Sequence, residues 1–96
     1  MKLKLFLLFT LGVSSTSACK FYKACHCYDS DGSPNNTATD TICGWQKGRL
    51  QYDITEYGRD TTYQECFYTS GQPFWNCQWR EQCQQVGATG DDSSCR

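Results

Sequence analysis

The sequence holds a single histidine in 96 residues, so any imidazole-based acid-base or metal chemistry has one group to work with. Its longest apolar run, Leu5 to Val13, falls well short of the roughly twenty residues that cross a bilayer as a helix. That argues against a membrane anchor. Positive charge is not in excess either, with nine Lys and Arg against ten Asp and Glu. Nucleic-acid binding and cationic membrane attack both use basic side chains to neutralise phosphates, so the charge balance speaks against both. No internal repeat or low-complexity tract is present.

What the chain does have begins with "MKLKLFLLFTLGVSSTSA". Lys2 and Lys4 precede the apolar run, and the small residues Thr16, Ser17 and Ala18 follow it. This is the pattern of a secretory signal peptide over residues 1–18, which predicts a secreted, extracellular protein. Its removal leaves a single domain at residues 19–96, with a net charge of −3 and all eight cysteines. Cys19, Cys25, Cys27, Cys43, Cys66, Cys77, Cys83 and Cys95 then read as a disulfide framework of an oxidising compartment. A domain this short gains too little from packing alone, and four structural bridges supply what is missing.

Hydrophobic patterning predicts six elements. "CKFYKACHCY" (19–28) alternates as a strand, with Phe21, Cys25 and Cys27 on an inner face and Tyr22, Ala24, His26 and Tyr28 opposite. "DSDGSPNN" is a turn. "NTATDTICGWQKG" suits a helix capped by Asn36 or Asn35, with Ala38, Ile42 and Trp45 on its buried face and Gly48 beyond its end. "RLQYDI" is a second strand with Leu50, Tyr52 and Ile54 on one side, and "TEYGRD" a turn. A third strand runs from about Thr62 to Thr69. Pro73 and Asn76 mark the start of a second helix, "NCQWREQCQQVG", whose Trp79, Cys83 and Val86 share a buried face. Cys77 lies off that face and ties the helix sideways, and Ser94 to Arg96 form a short last strand. The order strand-helix-strand-strand-helix-strand predicts an α+β fold. It is a small disulfide-rich two-layer sandwich, an antiparallel sheet with both helices on one face and its other face open unless a partner covers it. Cys25 and Cys27 then point toward the helices carrying Cys43 and Cys83, but spacing does not choose the pairing.

Cys25-His26-Cys27 is a poor metal site, because neighbouring strand residues point to opposite faces and the usual ligand spacing is wider. A redox dithiol is more often Cys-x-x-Cys at a helix start. No metal and no cofactor are expected. Catalysis would have to combine His26 with Glu56, Glu65 or Glu81 and with Arg49, Arg59 or Arg80, as in a small secreted ribonuclease. No local motif assembles them, and an exposed surface histidine is the plainer expectation. Trp45 and Trp79 are expected in the core. Tyr22, His26 and Tyr28 would form a solvent-facing strip able to bind a protein or stack on a sugar. Asn35-Asn36-Thr37 is a glycosylation sequon with Asn35 as acceptor.

The segments "CHCYDSDGSPNNTATDTIC" and "NCQWREQCQQVGATGDDSSCR" resemble paired signatures of small secreted cysteine-rich proteins of filamentous fungi, many of them candidate effectors. The element order also resembles the smut-fungus killer-toxin fold. The resemblance implies a non-enzymatic effector-like protein with a host or microbial protein as partner; a monomer is expected, and the charge balance and short apolar run already speak against nucleic acid and stable membrane insertion. Killer-toxin-like antimicrobial action is the alternative, with chitin or carbohydrate binding and ribonuclease activity behind it.

Overall fold

A computed structural model describes residues 19–55 and 62–96. The leader over residues 1–18 and most of the "TEYGRD" turn, with Glu56 and Arg59, lie outside the described residues. The elements are β1 (Phe21–Tyr22), β2 (Ala24–Cys27), α1 (Asn36–Trp45), β3 (Arg49–Thr55), β4 (Thr62–Phe67), β5 (Phe74–Trp75), α2 (Asn76–Gln85) and β6 (Ser93–Cys95). Four strands form an antiparallel sheet ordered β3-β4-β2-β6, and β1 and β5 form a separate antiparallel ribbon. Both helices pack on one face of the larger sheet. This is a small disulfide-rich α+β sandwich, and its strand order is that of two interleaved split βαβ units.

The core is built around sulfur. Cys25 lies between Cys66 of β4 and Cys95 of β6 in the strand register, all on the helix-facing side. It bridges to Cys95 across a Cα–Cα distance of 4.1 Å, close to the spacing of a non-hydrogen-bonded antiparallel pair. Cys25 therefore staples strand to strand, whereas Cys27 staples the sheet to α2 through Cys83. Cys43 joins α1 to β4 through Cys66, and Cys19 reaches the first turn of α2 through Cys77. Sequence separations from 23 to 70 residues make each bridge worth about 3 to 4 kcal/mol in unfolded-state entropy, though not additively. Ile42 and Trp79 fill the space between the sulfurs and are fully buried.

Two bulges redirect side chains that strict alternation had placed elsewhere. The amides of Lys23 and Ala24 both donate to the Arg96 carbonyl, at 3.1 and 3.0 Å, so two residues oppose one and the facing pattern reverses. Tyr22, not Phe21, then packs on the core, and Phe21 is turned out to solvent. In β3, Tyr52 and Asp53 stand opposite the single residue Gln64 between the pairs Gln51↔Glu65 and Ile54↔Tyr63. Asp53 takes φ 57° there. Leu50 consequently shares the face of Cys66, Ile54 shares the face of Tyr63, and Tyr52 is exposed.

Trp45 is also corrected, being 50% exposed. The buried residues of α1 are Ala38, Thr39, Ile42 and Cys43, a stripe rotated roughly 60° from the expected one. Thr39 and Cys43 hold that rotation. The Thr39 hydroxyl accepts the Cys27 amide at 2.9 Å and donates to the Asn35 carbonyl at 3.0 Å, and Cys43 is fixed by its bridge.

Both helices stop in the same way, with a bridged cysteine two residues before the last helical one. Gly48 donates to the Cys43 carbonyl and Lys47 to that of Gly44, and Ala88 and Gly87 do the same to Cys83 and Gln84. Each pair is a Schellman closure, which needs a left-handed residue just past the cap. Gly87 fills that role in α2, but in α1 it falls to Lys47, at φ 57°. Gly48 is needed one step later, where a Cβ would collide with Cys66 Sγ. Lys47→Gly is therefore expected to raise stability by about 0.5 to 1 kcal/mol, read as a higher midpoint in denaturant with an unchanged slope.

Candidate functional site

The face of the sheet away from the helices gathers the polar chemistry. His26 from β2, Tyr63 and Glu65 from β4, and Arg96 just after β6 converge there. Arg96 grips the Glu65 carboxylate with Nη2 at 2.6 Å from Oε1 and Nε at 3.2 Å from both oxygens. Its guanidinium carbon also lies 6.0 Å from the centre of the Phe67 ring. His26 Nδ1 approaches Glu65 Oε2 at 3.9 Å, too far for a hydrogen bond. That nitrogen is buried without a hydrogen-bond partner among the described residues. The imidazole stacks at a tilt on Tyr63, with ring centres 4.4 Å apart.

Of the acid-base candidates named from sequence, the structure brings Glu65 to His26, and the arginine beside them is Arg96, which was not among those considered. Strand alternation next to Cys95 was the signal for it: an inward cysteine leaves its neighbour facing out. The arrangement holds charge rather than offering it. Glu65 is 1% exposed; burial pushes its carboxyl up, but His26 and Arg96 beside it outweigh that and hold it below the ordinary value of 4.5. A carboxylate sealed under a bidentate arginine is not placed to take a proton from a substrate. Cys25 and Cys27 are both in disulfides, so no thiolate flanks His26. Among the described residues no three His, Cys, Asp or Glu side chains are grouped to hold a metal ion.

The expected strip of Tyr22, His26 and Tyr28 does not form. The bulge at Lys23 turns Tyr22 against the core, and His26 is only 8% exposed rather than a surface residue. Tyr28 is half-buried over Gly90, its hydroxyl 3.4 Å from Asp91. Burial, followed by the charges of Asp91 and Asp92, raises its pKa. Asn35 is the cap of α1. Its Oδ1 accepts the Ala38 amide at 3.0 Å, while its Nδ2 donates to Asp29 at 3.1 Å. A glycan at Asn35 would therefore have to share the amide nitrogen with that contact.

A second patch lies on the β1–β5 ribbon, which sequence reasoning missed because two-residue strands carry no periodicity. Tyr22 pairs with Phe74 and Phe21 with Trp75. The first pair faces the core, with Phe74 against Trp79 at 5.3 Å between ring centres. The second pair faces outward, Phe21 54% and Trp75 44% exposed. Beside them is a groove of about 430 Å³, lined by Phe21, Gln46, Gln72, Pro73, Trp75 and Gln78. Gln46 Nε2 donates to Gln82 at 2.8 Å, which orients its amide. Trp75 also occupies the cap position of α2 and makes no side-chain capping bond. Ser, Thr, Asp or Asn at that position usually contributes about 1 kcal/mol, so the helix forgoes that stabilisation where the exposed indole stands. Asn76, the expected start signal, is instead the first helical residue, and its Oδ1 accepts the Lys20 amide at 2.8 Å.

No protein-family model matches the chain, and no curated protein or solved structure matches it either. Among the described residues no helix is long and apolar enough to cross a membrane.

The Arg96–Glu65 pair gives a pH-dependent expectation. Because the folded pKa of Glu65 is depressed, the pair's stabilisation is complete above the ordinary glutamate range and is lost as pH falls through the folded value. Arg96→Ala should cost about 1 to 3 kcal/mol at pH 7, since it leaves a buried carboxylate without its partner. The gap between variant and wild type should narrow toward pH 3 in denaturant titrations run at each pH.

Proposed function

We propose that this protein is a secreted, non-catalytic recognition protein of the effector type, acting as a monomer on a host or microbial target through the face built around Phe21 and Trp75. One contrast carries the reading. The acid-base pair that the fold brings together is buried, His26 beside Glu65 and Glu65 beneath Arg96, while two aromatic rings are held out to solvent on a ribbon whose other side is core. Exposed aromatic surface with a groove beside it is the usual mark of a binding face. Four disulfides fit folding in an oxidising compartment, in keeping with the signal-like residues 1–18. The likeness to small secreted cysteine-rich fungal proteins, and to the killer-toxin element order, supports an effector-like role. A mature charge of −3 favours that role over cationic membrane attack.

Purified oxidised protein, applied to leaf tissue and to fungal and bacterial cultures, is expected to provoke a response in the leaf. That response should fall about tenfold in Phe21→Ala and persist in His26→Ala, each checked for fold by intact disulfides. Growth inhibition of the cultures without a leaf response would move the reading to a killer-toxin-like protein. RNA cleavage by the wild type that vanishes in His26→Ala would overturn the non-catalytic assignment.

A further inference from the structure

The chemistry of the ribbon groove identifies what it takes. Its aromatic lining is Phe21 and Trp75, its hydrogen-bonding groups are the primary amides of Gln46, Gln72 and Gln78, and Pro73 completes the lining. None of these six side chains is ionisable. A charged ligand would enter with no counter-charge in the lining and would lose hydration without compensation. A purely aliphatic ligand would offer the glutamine amides of the lining no hydrogen-bond partner. A ligand with apolar C–H faces and a rim of hydroxyls satisfies both halves of the lining. Each amide donates and accepts at once, as does each hydroxyl, and an exposed aromatic face offers a flat apolar platform beside it.

We infer that the groove binds a neutral pyranose oligosaccharide, one sugar ring lying against Phe21 and Trp75 with its hydroxyls on the three glutamine amides. This rests on the preceding reading that the Phe21–Trp75 face is the working surface, and it names the chemistry recognised there. The volume, about 430 Å³, is within the range of small-ligand sites. A peptide fits less well. β1 and β5 are two residues long, which leaves almost no strand edge for β-addition, and the lining has no charge to read a charged side chain. The outward Phe–Trp pair, a capping position given to Trp75, and an amide of Gln46 fixed by Gln82 then have one explanation.

The test uses the full oxidised mature chain, titrated with chitotetraose, cellotetraose and an anionic oligogalacturonate. Binding is followed by calorimetry and by the tryptophan indole N–H signals in ¹H–¹⁵N spectra, with Trp75→Phe assigning the Trp75 signal. The expected result is saturable binding of at least one neutral oligosaccharide with a shift at Trp75 and not at buried Trp79, and no binding of oligogalacturonate. Phe21→Ala should weaken the affinity about tenfold or more, as loss of an aromatic anchor does, while Trp75→Phe, which keeps a ring, stays within about threefold of wild type. Which neutral sugar binds separates N-acetylglucosamine-based from glucose-based polymers. Absence of binding by both neutral probes to a well-dispersed, fully oxidised sample overturns the inference, as does binding unaffected by Phe21→Ala. If the sugars fail while Phe21→Ala still abolishes the leaf response, the face stands and its ligand is a protein. If the sugars bind while the leaf response ignores Phe21→Ala, the groove is a sugar site and the effector face lies elsewhere.

Discussion

The position of β2 in the middle of the sheet, with two sulfurs on its inner face, constrains everything else in the molecule. Cys25 is bridged sideways, to the neighbouring strand β6, and Cys27 upward, to α2. These two bridges fix β6 beside β2 and α2 above it, and Cys43–Cys66 repeats the upward link from β4 to α1. The hydrophobic residues left for packing are few, so large side chains such as Trp79 and Ile42 fill gaps between cross-links rather than forming an independent core. A two-layer fold of this size holds because its layers are covalently joined.

The same sulfurs explain how much of the fold was legible beforehand. Cysteine count, turn residues and helix-stop glycines gave the order of the main elements, since each depends on local chemistry. Side-chain facing was legible only as far as the first bulge. Alternation is a counting argument, and one extra residue at Lys23 or in the Tyr52–Asp53 pair inverts every facing beyond it. Phe21 and Tyr22 exchanged roles for that reason, as did Ile54 relative to Leu50. Trp45 was misplaced by a different cause, because a helix wheel weighs hydrophobicity and does not know that a buried threonine bond and a disulfide set the rotation.

The candidate sites were legible in part. His26 and Glu65 were both in view as residues, but their meeting depends on a non-local register that no spacing encodes. Once assembled, the cluster pairs its charges internally. Arg96 keeps a buried carboxylate ionised, with His26 beside it and Tyr63 stacked on the imidazole. Strand alternation assigns Phe21 inward, yet the ribbon, with a core side and a solvent side, turns it and Trp75 outward.

The Cys19–Cys77 bridge has a bearing on that ribbon. Its two cysteines stand two residues from Phe21 and two from Trp75, and the Lys20 and Asn76 backbones are hydrogen-bonded between them. The outward rings are thus mounted on a covalently closed frame, and a ligand of the kind proposed would meet them already arranged, with little conformational freedom left to lose. Opening that bridge would return freedom to both strands of the ribbon and raise the entropic cost of any binding there, with no contact residue changed.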